Sequence, residues 1–241
     1  MEYNAYIDAL QADSALFSGA ARSAGVEAPV PSCPDWTVTD LLQHIGRLHR
    51  WVTDLVANEP DDPMREWTKP FPPAHELIAW FDAGVAPLAA ALEAAGPDKQ
   101  VWTWTADKST RFWARRQAHE LAVHRYDVQL AAGTPAPIER ALAVDGIDEF
   151  FDLIPAWSGA PGVRGNGETL HFHCTDGDGE WLARLDPDGL VVTREHAKGD
   201  VAARGTASDL MLYLYGRVLP EDLDVFGDAT LLTRWRELVS W

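Results

Sequence analysis

The sequence predicts a mainly helical first part followed by a small α+β domain. Three observations carry this. Apolar residues recur at helical spacing in five long runs up to about residue 153. A stretch rich in Gly, Pro and small residues, PAWSGAPGVRGNG, then breaks the pattern. Beyond it, short pieces alternate polar and apolar residues between Gly-containing turns, the two-residue period of half-buried strands. The two parts are placed at residues 1–157 and 168–241.

The first helix is read over 3–24, from the spacing of Tyr6, Ile7, Leu10, Leu16 and Phe17, with Gly25 as its stop. Pro29, Pro31 and Pro34 keep the next stretch a loop. Thr37 stands three residues ahead of Asp40, the arrangement of a capping box, and opens a second helix over 38–57. That helix carries an apolar stripe of Val38, Leu41, Leu42, Ile45, Leu48, Trp51, Val52 and Leu55. Five prolines between 58 and 73 exclude regular structure. A third helix spans 74–95 and ends at Gly96-Pro97, with a kink expected at Pro87. Residues 101–105 read as a short extended piece. A fourth helix runs from 111 to 132 and stops at Gly133, and a fifth over 138–153 completes an all-helical first part. In the second part, strands are expected at 169–174, 181–185, 190–193 and 201–204. A helix follows at 208–218, then a short extended piece at 224–226 and a last helix at 229–239.

Composition excludes some function classes. Lys plus Arg number 20 against 37 Asp plus Glu, a formal net charge of −17. Phosphate backbones and anionic membranes repel such a chain, so neither nucleic acid nor membrane is expected as a partner. The only cysteines, Cys33 and Cys174, lie far apart and outside any CxxC, which suits reduced thiols in a cytoplasmic protein. The N-terminal segment lacks the basic start and unbroken apolar core of a signal peptide. No apolar run is expected to span a membrane.

The fourth helix carries the chemistry. Glu120 and His124 are four residues apart, so both project from one face and can hold one cation between them. The string HELAVH has one residue more than the HExxH of zinc proteases. His119 and His124 therefore lie roughly 140° apart around the helix and cannot chelate together. His44 lies on the stripe side of the second helix. In an up-and-down bundle the space between facing helices is where metal sites are built. A His44 near Glu120 and His124 would complete a set of two histidines and one glutamate with one position open. An ordinary packed histidine and an exposed Glu/His pair satisfy the spacing equally well.

The strings VPSCPDWTVTDLLQHIGRLH and HELAVHRYDVQLAAG resemble the two signature segments of the mycothiol-dependent maleylpyruvate isomerase family. VAARGTASDLMLYLYGR and FGDATLLTRWREL are similar to that family's C-terminal domain. The resemblance covers nearly the whole chain. It implies a DinB-like four-helix bundle followed by a small domain related to sterol carrier proteins. It implies that His44, Glu120 and His124 bind a divalent metal, zinc in the enzyme that names the family, and that the thiol of mycothiol is the cofactor. It also implies an activity in which the metal ionises that thiol for attack on a small electrophile. In the isomerase, the thiolate adds to a cis double bond, the new single bond rotates, and elimination gives the trans isomer. In a transferase relative the thiolate stays attached. Arg217 matches a family arginine that serves activity, where its planar fork suits a carboxylate; a helix C-terminal cation is the plain structural alternative.

Asp127 is a candidate to orient a neighbouring ligand. Cys33 reads as a packing residue able to approach the cavity. Arg47, one turn beyond His44, is a second candidate for a carboxylate. His49 and His75 read as surface or loop residues, and most of the 11 tryptophans as packing. His171 and His173 share a strand face at period two but show no third ligand nearby, so they read as exposed strand residues. A non-catalytic protein of the same fold, binding a metal and an apolar ligand, is the alternative from another class.

Overall fold

The computed structural model describes residues 1–157 and 162–239. Residues 158–161 of the expected linker and the last two residues lie outside the described residues. The chain divides into two compact units, 1–138 and 139–241.

The first unit is a four-helix bundle. Helix α1 (Tyr3–Ala24) packs on α4 (Thr110–Ala131) and on α3 (Leu77–Ala95), and α2 (Val38–Asn58) packs on α3 and α4. The stripe read on α2 is the buried one: Val38, Leu41, Leu42, Ile45, Val52 and Leu55 are all in the core. Phe17 of α1 meets Phe81 of α3 at 4.7 Å between ring centres. Burying each such side chain contributes about 1.5–3 kcal/mol. At the start of α2, Asp40 Oδ2 accepts the backbone N–H of Thr37 at 2.8 Å, as the capping box requires. Gly46 lets α2 and α3 approach closely, since a Cβ there would lie 2.2 Å from the Trp80 ring.

Three expectations for this unit need correction. Residues 101–105 form no strand, only a loop beside an isolated bridge between Gln100 and Ser109. His49 is buried against Phe81 rather than on the surface, because it shares the inner side of α2. The segment Ala74–Ala95 is, by length and composition, apolar enough to cross a membrane. It includes α3, whose Leu77, Phe81, Leu88 and Leu92 are buried within the unit. The α3 helix continues through Pro87.

The second unit begins with α5 (Arg140–Trp157), which the sequence groups with the bundle. Its packing explains the difference. Phe150 meets Tyr215 edge-on, and Phe151 meets Phe172 and Trp235 at steep ring angles, all of the second unit. Strands β1 (Glu168–Cys174), β2 (Glu180–Asp186) and β3 (Gly189–Thr193) form an antiparallel meander. Strand β4 (Val201–Gly205) then pairs in parallel with β1, and β5 (Asp224–Gly227) pairs antiparallel with β4, giving the order β3-β2-β1-β4-β5. Leu170, Phe172 and Cys174 of β1 face helices α5, α6 (Ala207–Leu214) and α7 (Thr230–Leu238). Helix α6 ends four residues before the expected Val218, because Gly216 turns the chain with φ of 78°.

Candidate metal centre

Two helices of the first unit bring three donor atoms together. His44 projects from the second turn of α2, and Glu120 and His124 from α4. His44 Nε2 lies 2.9 Å from Glu120 Oε1, and His124 Nε2 lies 3.4 Å from the same oxygen. The two imidazole centres are 5.1 Å apart. One donor atom from each of the three residues falls within a group no wider than 4.8 Å. His119, on the other side of α4, meets the ring of Tyr6 instead, as the helical angle requires.

The remaining polar atoms of Glu120 and His124 are held by neighbours, which aims their donors. Glu120 Oε2 accepts from Arg116 Nη2 at 2.9 Å, one turn earlier on α4. Arg116 is almost wholly buried, so this ion pair is held among packed side chains. Burial alone would raise the Glu120 pKa, yet Arg116, His124 and His44 together hold it well below the usual carboxylate range. On the other side, His124 Nδ1 lies 2.8 Å from Asp127 Oδ2, and Asp127 is fully buried. With Nδ1–H donated to that carboxylate, the lone pair of Nε2 faces His44 and Glu120. Burial lowers the His124 pKa, but the hydrogen bonds to Asp127 and Glu120 outweigh it and the value is raised. Asp127 is fixed in turn by Ser32 Oγ at 2.6 Å, with Cys33 Sγ 3.8 Å from its other oxygen.

Trp36 forms one wall. Its ring lies parallel to that of His124 at 5.9 Å and edge-on to His44 at 5.3 Å. Trp51 and Trp113 belong instead to an aromatic cluster with Trp102 and Trp104. The loop VPSCPDW thus contributes the anchor for Asp127 and the aromatic wall together.

This donor set suits a divalent cation of the zinc class. Two neutral imidazole nitrogens and one carboxylate oxygen are ligands such an ion takes, and three protein ligands leave a position for a small molecule. Among the described residues, the group contains no fourth His, Cys, Asp or Glu. His44 and Glu120 keep about a quarter of their side-chain surface exposed, so the centre is open to solvent.

Arg217 lies in the second unit, just past the end of α6, where its Nη1 donates to the carbonyl of Tyr215 at 2.6 Å. Arg47 lays its guanidinium over Phe71 at 3.8 Å and donates to the carbonyl of Lys69. Sequence reasoning missed Arg116. Its position four residues before Glu120 was the available signal, since that spacing pairs a cation with a carboxylate on one helix face.

Comparison with known proteins bears on both units. Residues 7–129 match the family described as the mycothiol maleylpyruvate isomerase N-terminal domain, and residues 141–234 match that family's C-terminal domain. The second match begins at α5, in line with the packing of that helix. The chain is similar in structure to the mycothiol-dependent maleylpyruvate isomerase, with a TM-score of 0.67 at 13% identity over 93% of each chain. A histidine-to-alanine mutant of that enzyme gives a TM-score of 0.65 at 14% identity, again over 93% of each chain. At such identities the likeness is one of fold. No curated protein sequence matches the chain.

Proposed function

The chain belongs to the mycothiol maleylpyruvate isomerase family, and from that premise we propose that it is a metal-dependent, thiol-using isomerase. His44, Glu120 and His124 hold a divalent cation, zinc by ligand preference. When bound, that cation lowers the pKa of a small thiol, mycothiol, so that its sulfur is nucleophilic at neutral pH. The observation that carries this reading is the division of labour among the side-chain atoms. One oxygen of Glu120 and one nitrogen of His124 are reserved by Arg116 and Asp127, and their other donors converge with His44 Nε2.

The chain's own residues have separate tasks. Arg116 fixes the rotamer of Glu120 and keeps it ionised. Asp127 fixes the tautomer of His124. Trp36 presents an apolar wall beside the two imidazoles and keeps water from that side. Arg217 binds a carboxylate of the substrate, for which a planar fork of donors is suited. In the reaction proposed, the thiol sulfur bonds to one alkene carbon of a cis-unsaturated acid while the π electrons move toward the conjugated carbonyl. Rotation about the resulting single bond and departure of the same sulfur give the trans acid, so the thiol is regenerated. Neither cysteine of the protein takes part; Cys174 is buried and its thiol is pushed up to about 11. We assign this work to the cytoplasm, where both cysteines stay reduced.

The test is metal analysis and assay of the protein purified without chelator. Wild type with mycothiol and maleylpyruvate should form the trans isomer without consuming thiol. His44→Ala, Glu120→Ala and His124→Ala should each lose the bundle's metal and the activity while keeping the helical fold. Metal content and turnover unchanged in all three variants would overturn the assignment. Stoichiometric consumption of thiol would make the protein an S-transferase using the same centre.

A further inference from the structure

The second unit carries another cluster of donors, on the sheet face opposite α5, α6 and α7. His171 and His173 alternate along β1 with the core residues Leu170, Phe172 and Cys174, so both point to the far face. The antiparallel register sets Glu180 of β2 directly across from His173. The link between β3 and β4, residues 194–200, adds His196 to the same place. Glycine at 199 lets this link lie directly on β1: a Cβ there would be 3.1 Å from the backbone nitrogen of His171 and 3.2 Å from its Cβ. His171 is thereby buried, against the expectation of an exposed strand residue.

The donors gather around the Glu180 carboxylate. His173 Nδ1 is 2.8 Å from Glu180 Oε1, His196 Nδ1 is 2.7 Å from Glu180 Oε2, and His171 Nε2 is 3.6 Å from that oxygen. All four residues offer a donor within a group no wider than 4.8 Å. A tetrahedral zinc ion with bonds of 2.0–2.1 Å sets its donors about 3.3 Å apart, within the spread found here. Two of the nitrogens, His171 Nε2 and His173 Nδ1, are shielded from solvent and face the Glu180 carboxylate. Three imidazoles gathered around one carboxylate, two of their nitrogens shielded from solvent, are a donor set that a cation of this class takes.

We propose that His171, His173, Glu180 and His196 form a second metal site, for a divalent transition cation of the zinc class. Its four protein ligands close the coordination sphere, unlike the three-ligand centre of the bundle, so its role is structural. The ion ties the 194–200 link to β1 and β2.

The experiment uses the full chain loaded with zinc, then dialysed. Wild type should hold about two ions per chain. The pair His173→Ala/His196→Ala should lose one ion and keep isomerase activity. The pair His44→Ala/Glu120→Ala should also lose one, retain the second, and show the intense visible bands of tetrahedral cobalt(II) when cobalt replaces zinc. His196 is exposed and His173 half-buried, so their replacement leaves the core intact. Zinc should slow tryptic cleavage after Lys198 in the bundle-site variant and not in the His173/His196 variant. A wild-type chain with one ion, lost completely from the bundle-site variant, overturns this inference and leaves the proposed function standing. One ion that survives there and disappears from the His173/His196 variant supports this site and refutes the bundle centre.

Discussion

Replacing Asp127 tests whether the bundle centre depends on the group behind its ligand. Asp127 is fully buried, lies 2.8 Å from His124 Nδ1, and accepts Ser32 Oγ–H at 2.6 Å. An Asp127→Asn side chain can turn its amide oxygen to His124 and still accept Nδ1–H, while its NH₂ faces the Ser32 hydroxyl. The bond survives but loses its charge, and charge-assisted hydrogen bonds are roughly twice as strong as neutral ones. Asp127→Ala removes the bond entirely and frees the imidazole to rotate or to carry its proton on Nε2. Loss of such a supporting carboxylate costs about 10–100-fold in metal affinity, or about 1.4–2.7 kcal/mol. Asn is expected near the lower limit and Ala near the upper. The assay is competition with a chromophoric chelator, read on the bundle ion alone in a His173→Ala/His196→Ala background. Urea unfolding of the metal-free variants separates damage to the fold from damage to the site. Unchanged affinity in both variants would refute the idea that Asp127 sets the tautomer of His124.

Two further outcomes are expected. His49 is buried beside Phe81, and burial, with Arg50 and His44 nearby, lowers its pKa to about 3, against about 6.5 in the unfolded chain. The unfolded state therefore binds the extra proton between those values, and stability falls as pH drops through that window. From pH 7 to pH 5 the loss is about 2 kcal/mol; denaturant midpoints should show it in wild type and a flatter profile in His49→Leu, and equal profiles would contradict it. Arg217→Lys keeps the charge but loses the planar fork, so kcat/KM should fall markedly with metal content unchanged. Arg47→Lys should lose the guanidinium's stacking on Phe71, about 0.5–1 kcal/mol of stability, and its hydrogen bond to the Lys69 carbonyl, with kcat/KM intact; sensitivity at Arg47 and indifference at Arg217 would move the carboxylate anchor into the bundle.

What could be read from the residues followed the range of the interactions. Helices α1, α2, α3 and α4 are set by periodicity and caps, which are local, and they appear close to where the sequence puts them. The pairing of Glu120 with His124 follows from helix geometry alone, whereas the nearness of His44, 76 residues away, does not. That nearness was legible only through resemblance to a known family. Helix α5 shows the limit in another form. Its apolar face is plain in sequence, but which unit it covers depends on partners such as Trp235, far along the chain. His171 and His173 announced a shared face, yet Glu180 joins them through strand register and His196 through an irregular link, neither of which a periodic pattern encodes. Arg217 fell outside a helix because one glycine ended it early.

The parallel pairing of β4 with β1 has a consequence for how the second unit is made. Strands β3 and β4 are consecutive in sequence but three positions apart in the sheet, a gap of about 14 Å. During synthesis the meander of β1, β2 and β3 emerges first, and β1 then presents an open edge of unpaired backbone beside Leu170 and Phe172. Nothing covers that edge until residues 201–205 leave the ribosome, and the apolar face has only α5 against it until α6 and α7 follow. An uncovered strand edge next to bulky apolar side chains is a template for pairing with another copy. The hazard for this protein is thus greatest in nascent chains truncated between β3 and β4, which should be far more prone to aggregate than the finished molecule.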